Sequence, residues 1–381
     1  MNTYARFPLT LVRGEGCRVW DDQGKQYLDF IAGIAVNTLG YAHPAMNKAL
    51  AAQAAEMLHC SNLFHIPKQQ QLADQLTHLS GLAAVFFCNS GAEANEAAIK
   101  LARKYFHDRD SNRRTVISAT QSFHGRLLST LTATGQDKVK VGFDPLPPGF
   151  AHVPLNDIDA LKQAINKQTA AVLLEPLQGE GGVNITTASY LQAVRKLCDE
   201  HGLLLMLDEV QTGVGRCGTM FAFEQAGIQP DILTLAKGLG GGVPIGAMLA
   251  SDRVAASFGP GTHGSTFGGN PLSCAAALTV LAEIESGQLL ANVQQRGEQL
   301  RQGLHALASD FKVIKEVRGQ GLLNGIELRI EAAGLMVSAR EKGLLILMAG
   351  SNVLRFLPAL NVSEKEVDEA LAIVGAVLGE L

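Results

Sequence analysis

The sequence predicts an α/β protein with a mostly parallel central sheet, helices on both faces of that sheet, and a smaller α+β domain. From Ala83 onward, apolar runs of strand length alternate with stretches of helical spacing, which is typical of parallel sheets. Beyond residue 262 the long apolar runs stop, although short α and β segments continue. The predicted division is an N-terminal segment (1–60) that joins the small domain, a large ligand-binding domain (61–262), and a linker helix with the small domain (263–381).

The strands of the large domain are predicted from apolar runs that end abruptly. These runs are Ala84–Cys88, Thr115–Ser118, Ala170–Leu174, Leu203–Leu207, Ile232–Leu235 and Ile245–Leu249. Ligands of open α/β sheets bind at the carboxyl ends of the strands. The side chains expected at those ends are Ser90, Phe123, Arg126, Glu175, Asp208 and Lys237.

The outer parts of the chain carry shorter elements. Helical spacing predicts helices over residues 45–58, 69–79, 272–285 and 290–307, and a closing helix from about Glu364. Short strands are predicted at 18–20, 26–30, 313–317 and 323–328, and an apolar, glycine-bearing loop at 31–40. We find no internal repeat and no low-complexity linker.

The composition excludes several classes of function. Hydrophobic residues make up 47% and charged residues 18% of the chain, and the net charge is −4. There is therefore no basic surplus that would hold nucleic acid or an anionic membrane. The first residues have no apolar core of signal-peptide length and no apolar run is long enough to span a bilayer, so a cytoplasmic location is expected.

The six cysteines are scattered and form no C-x-x-C pair, which argues against a zinc site and against a disulfide framework. His59, Cys60 and His65 lie close together but match no ligand spacing. We therefore expect no metal.

Lys237 ends the apolar run 232–235 and is followed at once by glycines. A lysine at the end of a buried strand lies in apolar surroundings, which lower its pKa and make it nucleophilic. The alternative is a lysine in the last turn of a helix that a glycine closes. The stretch alone does not separate the two.

Three other strand ends carry groups with both ordinary and functional interpretations. Residues 89–92 could form a plain helix N-cap, or a turn whose backbone N–H groups bind phosphate. Asp208 could cap a helix, but a carboxylate buried at a strand end needs a cationic partner. Phe123 could be a core residue or a stacking face for a flat ring. Arg126 could be a solvated charge or a fork for a carboxylate.

Together these residues match the parts needed to bind pyridoxal phosphate: a phosphate cradle, a stacking face, an acid for the ring nitrogen, and a lysine in apolar surroundings. A nicotinamide-binding unit is the formal alternative, since Gly213–Gly218 fits G-x-G-x-x-G and follows a strand. It fits poorly, because four residues separate Asp208 from the first glycine. The acid at about the right distance, Asp231, also precedes a strand instead of ending one.

The sequence resembles the class III (subgroup II) aminotransferases of the type I pyridoxal phosphate fold. The resemblance covers nearly the whole chain. The motifs that carry it are Gly33–Asn37, Asn89–Glu96, Phe123–Arg126, Glu175–Gly182, Asp208–Gly213, Ala236–Gly238 and Gly268–Pro271.

The resemblance implies a role for each cofactor-binding residue. Lys237 would carry the cofactor and move protons, Asp208 would pair with the pyridine nitrogen, and Gln211 would bond the ring hydroxyl. Phe123 would stack on the ring. The phosphate would be bound by Ser90, Gly91 and Ala92, together with Thr266 from the other subunit of a homodimer.

The resemblance also implies the substrates, namely N-acetylornithine as amino donor and 2-oxoglutarate as acceptor. Arg126 would bind the α-carboxylate of the donor, and Arg355 that of 2-oxoglutarate, with Glu180 as its gate. Ile34 stands where the ornithine-specific branch tends to have tyrosine, which favours an acylated ornithine over the free diamine. The near alternatives are succinylornithine, succinyldiaminopimelate, ornithine or 4-aminobutyrate as donor, and the distant ones are a dehydrogenase or a non-catalytic binding protein.

Three positions depart from the family pattern. Tyr41 stands where histidine is usual, Cys217 where threonine is usual, and the connection between Glu327 and Gly343 is short. None of the three carries the implied chemistry, but the short connection leaves the alignment of the second domain open.

Overall fold

The strands and helices are described for residues 1–286 and 288–381 of a computed structural model. The strands are β1 (Leu11–Glu15), β2 (Arg18–Asp21), β3 (Gln26–Asp29), β4 (Ala84–Cys88), β5 (Thr115–Ala119), β6 (Phe150–Val153), β7 (Thr169–Leu174), β8 (Leu177–Gln178), β9 (Asn184–Ile185), β10 (Leu204–Asp208), β11 (Ile232–Leu235), β12 (Gly246–Ala250), β13 (Ile314–Gln320), β14 (Leu323–Leu328), β15 (Leu344–Leu345), β16 (Leu347–Met348) and β17 (Val353–Phe356). The helices are α1 (Ala32–Ala35), α2 (Pro44–Glu56), α3 (Pro67–Ser80), α4 (Gly91–His107), α5 (Leu128–Ala133), α6 (Ile158–Ala164), α7 (Ala188–His201), α8 (Asp252–Ala255), α9 (Pro271–Ser286), α10 (Leu289–Asp310), α11 (Ala333–Glu341) and α12 (Glu364–Leu378). Short 3-10 turns cover Asp137–Val139, Ala222–Ala226 and Lys237–Gly240.

The central sheet has the strand order β4-β12-β11-β10-β7-β5-β6. The pairings among β11, β10, β7, β5 and β6 are parallel, whereas β12 runs antiparallel to both β11 and β4. The predicted mostly parallel sheet is therefore confirmed. Four of the predicted strands are found within one residue of their expected bounds, and the other two, β4 and β11, have the same bounds.

Helices cover both faces of the central sheet, as the sequence predicts. Alternate residues of β10 enter separate apolar clusters: Leu205 and Leu207 pack with α7 and α9, whereas Leu204 and Met206 pack with α4. All residues of β7, β10, β11 and β12 are buried. This burial explains why these strands are continuous apolar runs in the sequence.

The remaining strands form smaller sheets outside the central one. Their orders are β1-β2-β3-β15, β13-β14-β17-β16 and β8-β9. Because Leu28 pairs with Leu344, the first and last parts of the chain share one sheet. The short connection between Glu327 and Gly343 contains helix α11. The domain boundaries given above stay a prediction.

Two local features differ from the sequence prediction. Strand β6 has no apolar run that would have marked it, because it lies at the sheet edge and three of its four residues are only half-buried. In the predicted loop 31–40, residues 32–35 form a left-handed turn, with φ of 46°, 64°, 66° and 60° at Ala32, Gly33, Ile34 and Ala35. Left-handed backbone costs about 1–2 kcal/mol for each residue with a side chain, so the surrounding structure must stabilise it. Asp29 Oδ1 does so by accepting hydrogen bonds from Ile31 N–H (2.8 Å) and Ala32 N–H (3.2 Å).

Among the described helices, none is by itself apolar and long enough to cross a membrane; α9 and α10 meet that test only as a bent pair.

Candidate active site

A cavity of about 420 Å³ opens at the carboxyl ends of the central strands. Nine of the predicted site residues line it: Ser90, Gly91, Ala92, Phe123, Arg126, Glu180, Asp208, Gln211 and Lys237. Residues from distant parts of the chain meet here because parallel strands present their carboxyl ends at the same edge of the sheet. The lining also includes Val36, Asn95, His124 and Glu175, which had no predicted role.

Lys237 follows β11 after a single residue, Ala236, and begins a 3-10 turn. The strand-end interpretation is therefore correct, and the helix-terminus alternative is wrong. Its φ of 42° is unusual for a residue with a side chain, and such backbone strain is typical of functional sites. Burial lowers the pKa of Lys237 below its ordinary value, and Arg355 contributes in the same direction, whereas the carboxylates of the cavity oppose it. A lowered pKa increases the fraction of neutral, nucleophilic amine.

Asp208 is the last residue of β10 and is only 4% exposed. Its Oδ2 accepts a hydrogen bond from Asn95 Nδ2 (2.7 Å) and lies 2.8 Å from His124 Nδ1. Its Oδ1 accepts from Val210 N–H at 3.0 Å. These contacts fix the carboxylate in one orientation in the wall of the cavity, where a protonated ring nitrogen would provide the charge partner that a buried acid needs.

The first turn of helix α4 forms another part of the wall. Glu93 N–H donates to Ser90 Oγ (3.2 Å), and Asn89 N–H donates to Glu93 Oε2 (2.7 Å), so the helix begins at a fixed point. The first N–H groups of a helix have no partner within the helix, and its dipole favours an anion there. A Cβ on Gly91 would lie 2.6 Å from Val210 Cγ1, so only glycine fits. This turn is suited to a phosphate group.

Glu175 anchors the segment that carries the predicted stacking ring. Its Oε2 accepts a hydrogen bond from Phe123 N–H at 3.1 Å. Burial raises the pKa of Glu175 well above its ordinary value, and the nearby charge of Asp208 contributes to the rise. The Phe123 ring is half-buried, and the guanidinium carbon of Arg126 lies 5.6 Å from its centre. Arg126 itself is exposed at the mouth of the cavity.

A second arginine lies behind the cavity wall. Arg355 is 1% exposed, and its Nη1 donates to Glu180 Oε1 (2.6 Å), Gly179 O (2.7 Å) and Gln211 Oε1 (3.2 Å). Although burial raises the pKa of Glu180, Arg355 and Lys237 more than offset this and hold it below its ordinary value. Glu180 therefore stands between the arginine and the cavity as an ionised partner.

Three predicted site residues do not line the cavity. Arg355 reaches it only through Glu180 and Gln211. Ile34 is 39% exposed in the left-handed turn, and Thr266 is exposed in the segment before α9. The predicted contribution of Thr266 to a neighbouring subunit requires exposure of this kind, but its role stays a prediction.

The described residues contain no group of three or more His, Cys, Asp or Glu side chains placed to hold a metal. The glycines of the nicotinamide-type motif serve packing. A Cβ on Gly215 would lie 2.9 Å from Leu360 Cδ1, and one on Gly218 would lie 3.1 Å from Gln294 Cγ. No α-helix begins directly after them, so the motif lacks the helix N-terminus that binds pyrophosphate.

Comparison with known proteins agrees with this geometry. The family described as aminotransferase class-III matches residues 1–378. Among curated relatives, the acetylornithine aminotransferase of Thermosynechococcus vestitus is 55% identical over 393 residues, which cover 100% of this chain and 95% of the relative.

Solved structures give the same family. N-acetylornithine aminotransferase from Stenotrophomonas maltophilia matches with a TM-score of 0.86 and 40% identity, over 100% of this chain and 98% of that chain. An ornithine aminotransferase from Toxoplasma gondii, described with partial occupancy of PLP at its active site, matches with a TM-score of 0.95 and 34% identity, over 99% and 91% of the two chains.

Proposed function

This chain belongs to the class-III aminotransferases and is a pyridoxal-phosphate-dependent transaminase, and from that premise we propose that it moves the δ-amino group of N-acetyl-L-ornithine to 2-oxoglutarate. The products are N-acetyl-L-glutamate 5-semialdehyde and L-glutamate, so the reaction belongs to arginine biosynthesis. One observation carries the proposal: a single cavity joins the Lys237 amine, the Asp208 carboxylate and the first turn of α4. The choice of donor is supported by identity to acetylornithine aminotransferases along the full chain.

Pyridoxal phosphate, when bound, supplies an aldehyde that takes up an amino group and a ring that withdraws electrons from it. Lys237 would hold the cofactor and then, as a free amine, move a proton from the δ-carbon of the donor. Asp208 would keep the ring nitrogen protonated, and Gln211 would bond the ring hydroxyl. The turn formed by Ser90, Gly91 and Ala92 would bind the phosphate, and Phe123 would pack against the ring.

Two arginines would bind the carboxylates of the two substrates in turn. Arg126, exposed at the mouth of the cavity, is free to form a paired contact with the α-carboxylate of the donor. Arg355 is held by Glu180 in the structure, and 2-oxoglutarate would replace Glu180 as its partner. The gate thereby keeps Arg355 occupied while the donor, which has a single carboxylate, is bound.

Ile34 would discriminate between donors. An apolar side chain at this position offers no hydrogen-bond partner to a free α-amine, whereas an acylated nitrogen carries no charge that needs one. The ornithine aminotransferase of Toxoplasma gondii is similar in fold but only 34% identical to this chain, whereas the acetylornithine aminotransferase of Thermosynechococcus vestitus is 55% identical. Ornithine, succinylornithine, succinyldiaminopimelate and 4-aminobutyrate stay as the alternative donors.

We also propose a homodimer with shared active sites, in which Thr266 of one subunit completes the phosphate site of the other. The exposure of Thr266 supports it, and sedimentation should show a dimer; a fully active monomer would contradict the proposal.

A cytoplasmic location is supported by six free cysteines, of which five are buried. Cell fractionation tests it, and recovery of the protein from a secreted fraction would contradict it.

The test of the activity is a panel of amino donors offered with 2-oxoglutarate, with kcat/KM measured for each. N-acetylornithine should exceed free ornithine and 4-aminobutyrate by at least about tenfold, which is the discrimination expected from one favourable pocket contact. A higher kcat/KM for free ornithine would overturn the donor assignment. Failure of every donor to yield glutamate would overturn the transaminase assignment to these substrates.

A further inference from the structure

Asp208 is connected to the neighbouring strand by a buried relay of two side chains that the proposed chemistry does not use. Thr234 Oγ1 donates to Asn95 Oδ1 at 2.7 Å, and Asn95 Nδ2 donates to Asp208 Oδ2 at 2.7 Å. Thr234 is inaccessible to solvent and Asn95 is 1% exposed. Polar groups this deeply buried are retained only when their hydrogen bonds are satisfied.

The contacts leave one orientation for the Asn95 amide. Its Nδ2 faces Asp208 Oδ2 and also His124 O (2.9 Å), and both of these oxygens can only accept. The NH₂ group must therefore point toward them, and Oδ1 must point toward Thr234, whose hydroxyl has a hydrogen to donate. The two acceptors set this orientation, and the Thr234 hydroxyl anchors it by donating to Oδ1, so that the amide oxygen is held away from the Asp208 carboxylate.

The relay joins the three elements that carry the proposed cofactor contacts. Asp208 ends β10, and Thr234 is its paired residue in β11, three positions before Lys237. Asn95 lies in α4, four positions after Gly91 in the phosphate-binding turn. Four residues of an α-helix rise about 6 Å, so a single rigid helix spans the distance from the phosphate end to the acid.

We propose that Asn95, locked by Thr234, is a positioning residue that sets the Asp208 carboxylate at a fixed distance from the phosphate-binding turn. Helix α4 then holds the phosphate with its first turn and, through Asn95, orients the acid that meets the ring. This inference rests on the proposed cofactor site. It adds that the geometry of the bound cofactor depends on Asn95 inside helix α4 and on the Thr234 hydroxyl in β11, which does not itself touch the cofactor.

Thr234 offers a matched pair of substitutions. Thr234→Val keeps the shape and removes the donor, whereas Thr234→Ser keeps the donor and removes a methyl group. The affinity of each apo-protein for pyridoxal phosphate is measured by titration, and the absorbance of the bound cofactor is followed against pH. Because one buried hydrogen bond is lost, pyridoxal phosphate binding is expected to be about 5- to 15-fold weaker in Thr234→Val. The pH titration of its cofactor absorbance should also be displaced from that of the wild type. Thr234→Ser should stay close to wild type in both measurements.

Inorganic phosphate separates positioning from general damage. It probes the α4 turn alone, so its affinity for the apo-protein should be unchanged in Thr234→Val. Asn95→Asp replaces the donor by a second carboxylate and should weaken pyridoxal phosphate binding more strongly than Thr234→Val does. Wild-type binding of both ligands in Thr234→Val overturns the relay. Equal weakening of pyridoxal phosphate binding in Thr234→Val and Thr234→Ser overturns the relay, because it indicates a packing effect instead. A parallel loss of phosphate affinity in Thr234→Val does the same. If wild-type protein binds no pyridoxal phosphate, the proposed function fails, and the relay proposal fails with it.

Discussion

The inner wall of the cavity and its mouth are built differently. In the wall, Asp208 and Glu175 are 4% and 7% exposed, and each accepts at least one hydrogen bond at 3.1 Å or less. At the mouth, Arg126 is exposed, and within the described residues no carboxylate forms an ion pair with it. The acids of the wall are held by hydrogen bonds from this chain, whereas the arginine at the mouth is left exposed.

The difference indicates which ligand each region serves. A resident cofactor is bound once, so rigid, fully satisfied groups can hold it without hindering turnover. Substrates must enter and leave, so their binding groups stay accessible, as Arg126 does, or are covered by a displaceable partner, as Glu180 covers Arg355. Substitutions in the wall should therefore remove cofactor and activity together, whereas those at the mouth should change substrate constants alone.

Lys237→Ala should have the largest effect, with kcat lower by roughly 10⁴-fold or more, because the variant loses both the cofactor attachment and the proton carrier. The absorbance of the lysine-bound cofactor should disappear. Lys196→Ala, at an exposed helix position, is the control. Wild-type kcat and an unchanged cofactor absorbance in Lys237→Ala would show that this lysine of the cavity wall does not carry the chemistry.

Asp208→Asn should lower kcat by on the order of 10³-fold, as expected when a preorganised charge is removed from an active site. Affinity for pyridoxal phosphate should fall as well, because the ring nitrogen loses its charge partner. Steady-state kinetics and cofactor titration measure the two effects. Asp159→Asn, on the exposed side of α6, should behave as wild type; an Asp208→Asn enzyme of normal kcat would contradict the account.

Arg355→Ala should lower kcat/KM for 2-oxoglutarate by about 10²-fold, the loss expected for a charged contact to a carboxylate. The half-reaction with the amino donor should change much less. Stopped-flow measurement of each half separately checks this asymmetry. Equal losses in both halves would show that Arg355 acts through general stability.

Arg126→Ala should raise KM for N-acetylornithine by about 10- to 100-fold, for the same reason, and leave cofactor affinity unchanged. The contrast with Asp208→Asn compares mouth and wall directly. Cofactor loss in Arg126→Ala, measured by the same titration, would mean that the two regions are not separate.

The smallest effect expected is on the pH dependence of apo-protein stability. Burial lowers the pKa of Lys237 below its ordinary value of 10.5. Between that lowered pKa and 10.5 the unfolded chain holds a proton that the folded chain has released, so folded stability rises with pH. Urea unfolding from pH 7 to 10 should show the wild-type apo-protein gaining stability relative to Lys237→Met. A constant difference would argue against the lowered pKa.

The sequence predicted the wall well because each of its groups follows an apolar run. Such a run fixes where a strand ends, and parallel strands bring those ends together, so Asp208 and Lys237 could be placed from their neighbours in the chain. Asn95 could not be, since it is one polar residue inside a helix whose partners Asp208 and Thr234 lie 113 and 139 positions away.

The segment that carries Ile34 was harder to predict for a different reason. The left-handed turn at 32–35 contains only one glycine, Gly33, so composition gave no sign of it. Its stability depends on Asp29, which is itself held by the hydroxyl of Tyr41 at 2.8 Å. Tyr41 is one of the departures from the family pattern, and its role depends on a contact between chain segments that no local pattern records.

Amino transfer through Lys237 can be observed in a single turnover of the enzyme. Purified protein saturated with pyridoxal phosphate is mixed with N-acetylornithine in the absence of 2-oxoglutarate. We expect the absorbance of the lysine-bound cofactor to disappear and one equivalent of semialdehyde to form per active site. Added 2-oxoglutarate should then restore the absorbance with release of glutamate. Unchanged absorbance and no semialdehyde would contradict it.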